Sequence, residues 1–198
     1  LVKGRQVVSD ARRSLPESRT NLLFYFGDSL LVAPVVSLLA VAMNRLFTQY
    51  DWFLVPADFW TGISPWLVVI VAIAIGDFSG YWRHRIEHTA LFWPTHAVHH
   101  SDTEMTWMAV FRIHPFNRFT TTVFDFSILL AMGLPAYAVA ANFVFRHYYG
   151  ALIHADLPWT YGPLGKILVS PSMHRWHHSM DRQAYDTNFA TVFSLYDR

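Results

Sequence analysis

Hydrophobic positions along the 198-residue chain gather into three long blocks separated by polar stretches. Residues 1–20 are polar, with Lys3, Arg5, Arg12, Arg13 and Arg19 against only Asp10 and Glu17, and read as a cytoplasmic leader. Residues 21–47, NLLFYFGDSLLVAPVVSLLAVAMNRLF, are long enough to cross a hydrocarbon core of ~30 Å as a helix rising ~1.5 Å per residue. Asp28 needs a bundle-facing or snorkelled setting, and Pro34 is placed to bend this helix. The loop 48–61 holds Asp51 and Asp58 but no Lys or Arg, so the charge asymmetry puts it outside and the arginines inside.

Ser64 and Pro65 read as the N-cap and first-turn proline of a second helix, 64–88. Its apolar part runs only from Trp66 to Ile75 before Asp77, which is short for a lone span. The helix is therefore expected to start in the membrane and continue unbroken to His88. A third apolar region, 119–153, is interrupted at Gly133, Leu134 and Pro135, and predicts a membrane hairpin of tilted or partly re-entrant helices. Residues 154–198 follow as a C-terminal segment. The expected fold is all-α, one domain: an integral membrane helical bundle with a cytoplasmic helical cap.

With 53% hydrophobic and 15% charged residues and a net charge of +1, the chain is apolar for a soluble protein. It has no long basic run, which argues against a nucleic-acid partner. The absence of cysteine excludes disulfides, zinc ribbons, iron–sulfur clusters and thiol nucleophiles, so any metal must be held by nitrogen or oxygen.

Eight of the eleven histidines fall in three groups: His84 and His88; His96, His99 and His100; His174, His177 and His178. Spacings of three and four put side chains on one helical face, so each group is expected to aim its rings at a common point. Pro94 and the pair Ser170–Pro171 suit helix starts before the two H-x-x-H-H boxes. Asp77 returns to the face of His84 and His88 within ~20°, where it would take a ring N–H of a ligating histidine. A lone histidine such as His114 or His147 is ordinarily a hydrogen-bonded core residue. Eight imidazoles phased in this way cannot all be satisfied in a small apolar domain without dedicated partners, which points to metal binding.

Eight or nine nitrogen donors exceed the three or four of a tetrahedral zinc site, implying two metals. H-E-x-x-H and E-x-x-H are absent, and Glu17, Glu87 and Glu104 are the only glutamates, too few for a carboxylate-rich di-iron site. Imidazole leaves iron, zinc, copper and nickel open.

The stretches DFSGYWRHRIEH, HAVHH and MHRWHH resemble the three histidine boxes of the fatty acid hydroxylase superfamily. The resemblance runs from about Asp77 to the end of the chain. It includes FRIHPFNR around His114, LIHADLPW around His154 and DTNFATVFSLYDR, which contains Asn188. It implies a membrane enzyme that uses two iron ions and dioxygen as co-substrate. Its ligands, carried over by position, would be His84, His88, His96, His99, His100, His154, His174, His177 and His178, with Asp77, His114 and Asn188 close by. Three residues inside the first box match the sterol-desaturase-like branch rather than fatty acid 2-hydroxylases or carotenoid hydroxylases. Ala190 stands where the family commonly has glycine and Tyr196 where it often has tryptophan. The chain stops before the family's usual continuation, so it is expected to be truncated.

Such an enzyme would hydroxylate or desaturate a membrane lipid (sterol, fatty acyl or ether lipid) in an apolar pocket to which Trp82, Trp107 and Trp176, with Phe92 and Trp93, are assigned. Trp60, Trp66 and Trp159 read as an interfacial belt. With no nucleotide-binding glycine motif, cysteine cluster or haem module, electrons are expected from a separate redox protein. Two alternatives stand beside this reading: a dinuclear zinc membrane hydrolase acting on a lipid ester, and a non-catalytic metal-binding membrane protein.

Overall fold

The computed structural model describes residues 6–198; Lys3 and Arg5 of the expected leader lie outside the described residues. Helices and turns make up the described residues, with a single antiparallel bridge between Leu168 and Phe193. After α1 (Val7–Arg13) comes one continuous 36-residue helix, Leu15–Tyr50, longer at both ends than the expected 21–47. It consists of α2 (Leu15–Gly27), a π turn at Asp28–Val32 and α3 (Ala33–Tyr50). The widened turn has a local cause. Pro34 supplies no N–H and its ring crowds the carbonyl of Leu30, so the chain gains a residue instead of breaking. Asp28, in that turn, accepts from Arg118 Nε at 2.8 Å.

The start of the chain is more than a polar leader. Arg13 pairs with Glu104 at 2.7 Å, Glu17 pairs with Arg112, and Asn21 donates to Asp102 at 2.8 Å while accepting from Arg112 at 2.7 Å. These contacts pin α1 and α2 to the loop that follows the first H-x-x-H-H box.

The helix α4 (Pro65–Glu87) begins after Ser64, whose backbone is extended but whose side chain makes no cap. Pro65, pre-set at helical φ, starts it alone. The third apolar region folds as α6 (Pro115–Thr121), a π turn at Thr122–Phe126, α7 (Ser127–Ala131) and α8 (Ala136–His154). Gly133 sits at φ +58° in the connecting turn, and a Cβ there would strike the carbonyl of Val55, so glycine is required twice over.

Among the described residues, Leu15–Tyr50 and Pro65–Glu87 are the helices long and apolar enough to cross a membrane. The hairpin arms are not: the first is too short, and Asn142, Arg146 and His147 make the second too polar. The first helix has none of its apolar window buried. Its Leu30, Leu31 and Leu38 are 71%, 73% and 72% exposed, a surface that hydrocarbon suits and water does not.

The broadest helix contact is between α4 and α8. Val68, Ala72, Leu129, Leu134, Ala138 and Val139 form its apolar core. Toward the other end the contact turns polar. Gly76 and Gly80 leave room on α4 for Asn142 and Arg146 of α8, as small residues do wherever helices approach closely. Arg146 reaches Asp125 at 3.1 Å and Asp77 at 3.4 Å. Arg83 bonds the same Asp125 at 3.0 Å and Glu87 at 2.8 Å.

A methyl group at Gly80 would meet the Arg146 guanidinium, which two buried carboxylates hold in place. Gly80→Ala is therefore expected to cost about 2–4 kcal/mol. Gly27→Ala, whose new Cβ meets nothing within 4 Å, should be neutral or stabilising by up to ~1 kcal/mol. Thermal unfolding of the detergent-solubilised protein measures both, and equal effects would remove the steric argument.

Candidate metal centre

Five structural pieces deliver the histidines. The last turn of α4 carries His84, and His88 is its C-cap. The first H-x-x-H-H box is not one helix as expected: α5 (Trp93–His96) ends after a single turn, and His99 and His100 lie on a separate 3-10 turn, His99–Ser101. The second box is carried by α9 (Pro171–His177), where Ser170 accepts from the Met173 amide at 3.3 Å as a true N-cap. His154 is the last residue of α8.

The nine histidines that the family resemblance pointed to come together in two groups: His84, His88, His96, His100 and His177 in one, and His99, His154, His174 and His178 in the other. Within each group the ligand atoms lie within 4.8 Å of one another. The expectation that each box aims at a single point is corrected. Residues four apart stay together (His84 with His88, His96 with His100, His174 with His178). Each middle histidine of a three-histidine box, His99 or His177, turns ~100° from its neighbour and joins the opposite group. His100 and His178 stack between the groups, with ring centroids 4.2 Å apart.

Hydrogen bonds at the outer nitrogens fix what the inner ones offer. Nδ1 of His84 bonds the Phe189 carbonyl at 2.7 Å, and Nδ1 of His177 bonds the Thr187 carbonyl at 2.6 Å. Likewise Nδ1 of His154 meets the Gly150 carbonyl at 2.6 Å and Nδ1 of His99 the Arg112 carbonyl at 3.3 Å. A carbonyl only accepts, so each Nδ1 carries the proton and each neutral ring turns a bare Nε2 lone pair inward. Nε2 of His84 and His177 face each other at 3.1 Å, as do those of His99 and His154. Lone pair against lone pair at that separation calls for a cation.

Nε2 of His88, His96, His100 and His178 is buried without a protein partner. Burial also holds these rings neutral: it pushes His99 down to about 4 and His177, with His88 beside it, down to about 3. His96, His100, His174 and His178 are pushed down as well, by burial first and by neighbouring histidines second. The donors present thus fit metal ions, one per group, and neither group contains a carboxylate.

Behind the rings lies the DTNFATVFSLYDR stretch, which the resemblance had put near the site without showing that its backbone carbonyls orient the rings. Thr187 and Phe189, whose carbonyls orient His177 and His84, flank Asn188, which sits at φ +55° and donates to the Met173 carbonyl at 3.3 Å. Asp197 accepts from the Phe189 and Ala190 amides at 2.7 and 3.1 Å. Asp77 does not take a histidine N–H as expected. Its oxygens are consumed by the Val192 and Phe193 amides at 3.0 and 2.8 Å, so it anchors the loop instead of a ring.

The buried carboxylate near a histidine is Glu87, which sequence reasoning missed: its Oε2 lies 3.3 Å from His96 Nδ1 and its Oε1 accepts from Thr120 at 2.6 Å, while the exposed Asp186 stands 3.6 Å from His88 Nδ1. The signal was the Arg83/Glu87 pair one helical turn apart. His114 stands outside both groups and caps α6, accepting from Phe116 N at 3.2 Å.

A cavity of about 390 Å³ borders both groups between α4, α6 and α8, with Val110, Ile113, Phe143 and Ile153 among its apolar walls. The three assigned tryptophans do not line it. Trp82 and Trp176 are 49% and 41% exposed, because a residue two from an inward histidine points ~200° away on a helix. Trp107 borders a different cavity, of about 460 Å³, with Arg175 and His178. Trp93 packs on the first group, 5.1 Å from the ring of His88.

Comparison with known proteins places the chain in a family. The chain is 30% identical over 154 residues to human alkylglycerol monooxygenase, covering 77% of this chain and 33% of that protein. It is 30% identical to an ornithine lipid hydroxylase of Rhizobium tropici, covering 72% of this chain and 44% of the relative. It is also 30% identical to the Delta(7)-sterol 5(6)-desaturase erg3C of Aspergillus fumigatus, covering 78% and 51%. The chain thus spans about a third to a half of the length of these relatives. No solved structure matches it. The fatty acid hydroxylase family model matches residues 69–198, and the chain belongs to that family.

Proposed function

We propose that this chain is the catalytic part of an oxygen-dependent di-iron enzyme that hydroxylates or desaturates a membrane lipid. The observation that carries the reading is the pair of converging, neutral histidine groups beside a cavity with apolar walls. The monooxygenase, hydroxylase and desaturase names of the relatives support oxidation over hydrolysis. Two bound irons would supply the redox chemistry with dioxygen that breaking an unactivated C–H bond demands and that side chains lack.

Each part of the protein then has a task. The nine histidines hold the metals, and the carbonyls of residues 187 and 189 keep the first group's His84 and His177 aimed inward. Val110, Ile113, Phe143 and Ile153 exclude water from the tail of the lipid. Glu87 orients His96. The exposed apolar helix Leu15–Tyr50 holds the enzyme in the bilayer, so the substrate enters without crossing water. Arginine-rich flanks support placing the histidines on the cytoplasmic side. The lack of any cysteine or nucleotide-binding motif supports a separate electron donor.

Purified protein is expected to bind roughly two irons per chain and, given reductant and oxygen, to oxidise a lipid detectable by mass spectrometry. Zinc-only occupancy with oxygen-independent lipid hydrolysis would replace this reading. His177→Ala should lose metal and reduce activity by more than about a hundredfold, whereas His147→Ala, outside both groups, should keep its metal; equal metal loss in the two would break the grouping. Glu87→Gln should weaken metal binding about ten- to a hundredfold, read by competition with a chelator, and unchanged affinity would leave Glu87 a packing residue only.

Acidity gives a further check. The folded values of His99 and His177, about 4 and about 3, lie below the ordinary 6.5, so the unfolded chain takes up protons first as pH falls. Stability of the metal-free protein is therefore fully present above ~6.5 and should decline by about 1.4 kcal/mol per pH unit for each such histidine down to the folded value. Melting temperatures of chelator-treated protein between pH 7 and 5 test this; a flat profile would show that these rings are not held neutral.

A further inference from the structure

The cavity beside the histidines contains one group for which the fold has no use. Asn117 is 6% exposed and lines the cavity together with His96, His99, His154 and His174. Neither its Oδ1 nor its Nδ2 has a hydrogen-bond partner. Its backbone is fully engaged, the amide donating to the His114 carbonyl at 2.9 Å and the carbonyl accepting from the Thr120 and Thr121 hydroxyls at 3.0 and 2.8 Å. A buried amide with both halves idle is costly unless something that enters the cavity meets it. Asn142 also has an idle amide, but it is wedged against Gly76 between α4 and α8 and does not line this cavity.

The other polar walls define what the occupant is. Arg83 is bonded to Asp125 and Glu87, Arg146 to Asp125, and Arg118 to Asp28. Each cation of the wall already has its carboxylate, so an anionic headgroup would find no free counter-charge. A neutral group that both donates and accepts is the one that matches Asn117. A hydroxyl accepts from Nδ2–H and donates to Oδ1. An ether or ester oxygen answers only Nδ2 and leaves Oδ1 stranded.

Resting on the lipid-oxidising function proposed above, we propose that Asn117 is the specificity-determining contact for a free hydroxyl of the substrate lipid. It holds the polar end of the molecule while the apolar walls hold the adjoining hydrocarbon near the histidine groups. The contact selects lipids by binding and takes no part in the oxidation.

The probe is an alkylglycerol compared with its O-methylated twin, which differs only in the hydrogen-bond donor. Two readouts are taken: equilibrium binding to metal-free protein in lipid nanodiscs, and KM with kcat for oxygen-dependent oxidation by the iron-loaded protein. The purified wild type is expected to bind the free-hydroxyl lipid roughly tenfold or more tightly than the capped one. Asn117→Leu should erase that preference by weakening only the hydroxyl lipid, with KM raised, kcat kept and metal content unchanged. Asn117→Ser, which keeps a donor and an acceptor, should restore part of it.

No preference in the wild type, or equal weakening of both lipids in Asn117→Leu, would overturn the proposal and leave the amide to water or to packing. The binding arm separates it from the function it rests on. Preferential binding without oxidation of either lipid keeps the Asn117 contact and sinks the oxidase, while oxidation of both with equal binding does the reverse.

Discussion

Imidazole lone pairs that face each other 3.1 Å apart are the constraint on which the rest of the structure depends. Two neutral rings in that arrangement repel unless a cation lies at the point they share. They are kept there because each Nδ1–H is committed to a carbonyl behind it. The carbonyls are therefore as much a part of the centre as the rings, since a ring free to flip would relieve the repulsion by offering a proton. The backbone supplying two of them, residues 187–189, includes Asn188 at positive φ and is tied down by Asp197 and, through the next residues, by Asp77. Asp77 on α4 thus stabilises the centre from a distance, by holding the strip of chain that holds the rings.

The two groups are interlocked. Each H-x-x-H-H box contributes to both, and His100 stacks on His178 between them. Displacing either box would disturb both groups, which binds α4, α5, α8 and α9 into one cooperative end of the molecule. The opposite end, built on Val68, Ala72, Leu129 and Ala138, is ordinary apolar packing. Between them the α4–α8 contact changes character at Gly76 and Gly80, where the helices approach closely enough for Arg146 to cross over.

Much of this was legible in the sequence, and the reasons for the remainder are physical. The long apolar blocks gave the two long apolar helices, and histidine spacing of four gave the pairs that remain together. The crossing of His99 and His177 was not legible, because adjacent residues part company only once the helical turns around them are fixed, and the first box breaks its helix after His96. Asp77 was singled out and given the wrong partner. Phase on a helix shows which face a carboxylate occupies, but not that a distant loop brings amides to it. Glu87 was passed over as one of too few glutamates, although one carboxylate suffices to orient one ring. Tryptophans beside the boxes were assigned inward by proximity in sequence, and helical phase turns Trp82 and Trp176 outward.

Charge accounts for the remaining choice, why Glu87 is the buried carboxylate that reaches a histidine. Asp77, Asp125 and Glu87 are opposed by Arg83 and Arg146, a formal excess of one negative charge in a region where solvent screens little. Neutral histidines would bring no charge to metals held among them, so every positive charge added there would have to be balanced by something already in the protein. Asp125 is shared between two arginines and Asp77 is committed to Arg146 and two amides. Glu87 has a single arginine, and beyond it meets only the Thr120 hydroxyl and the ring of His96. The surplus charge of the buried network thus lies on the side of the first histidine group, beside a set of donors that are all nitrogen.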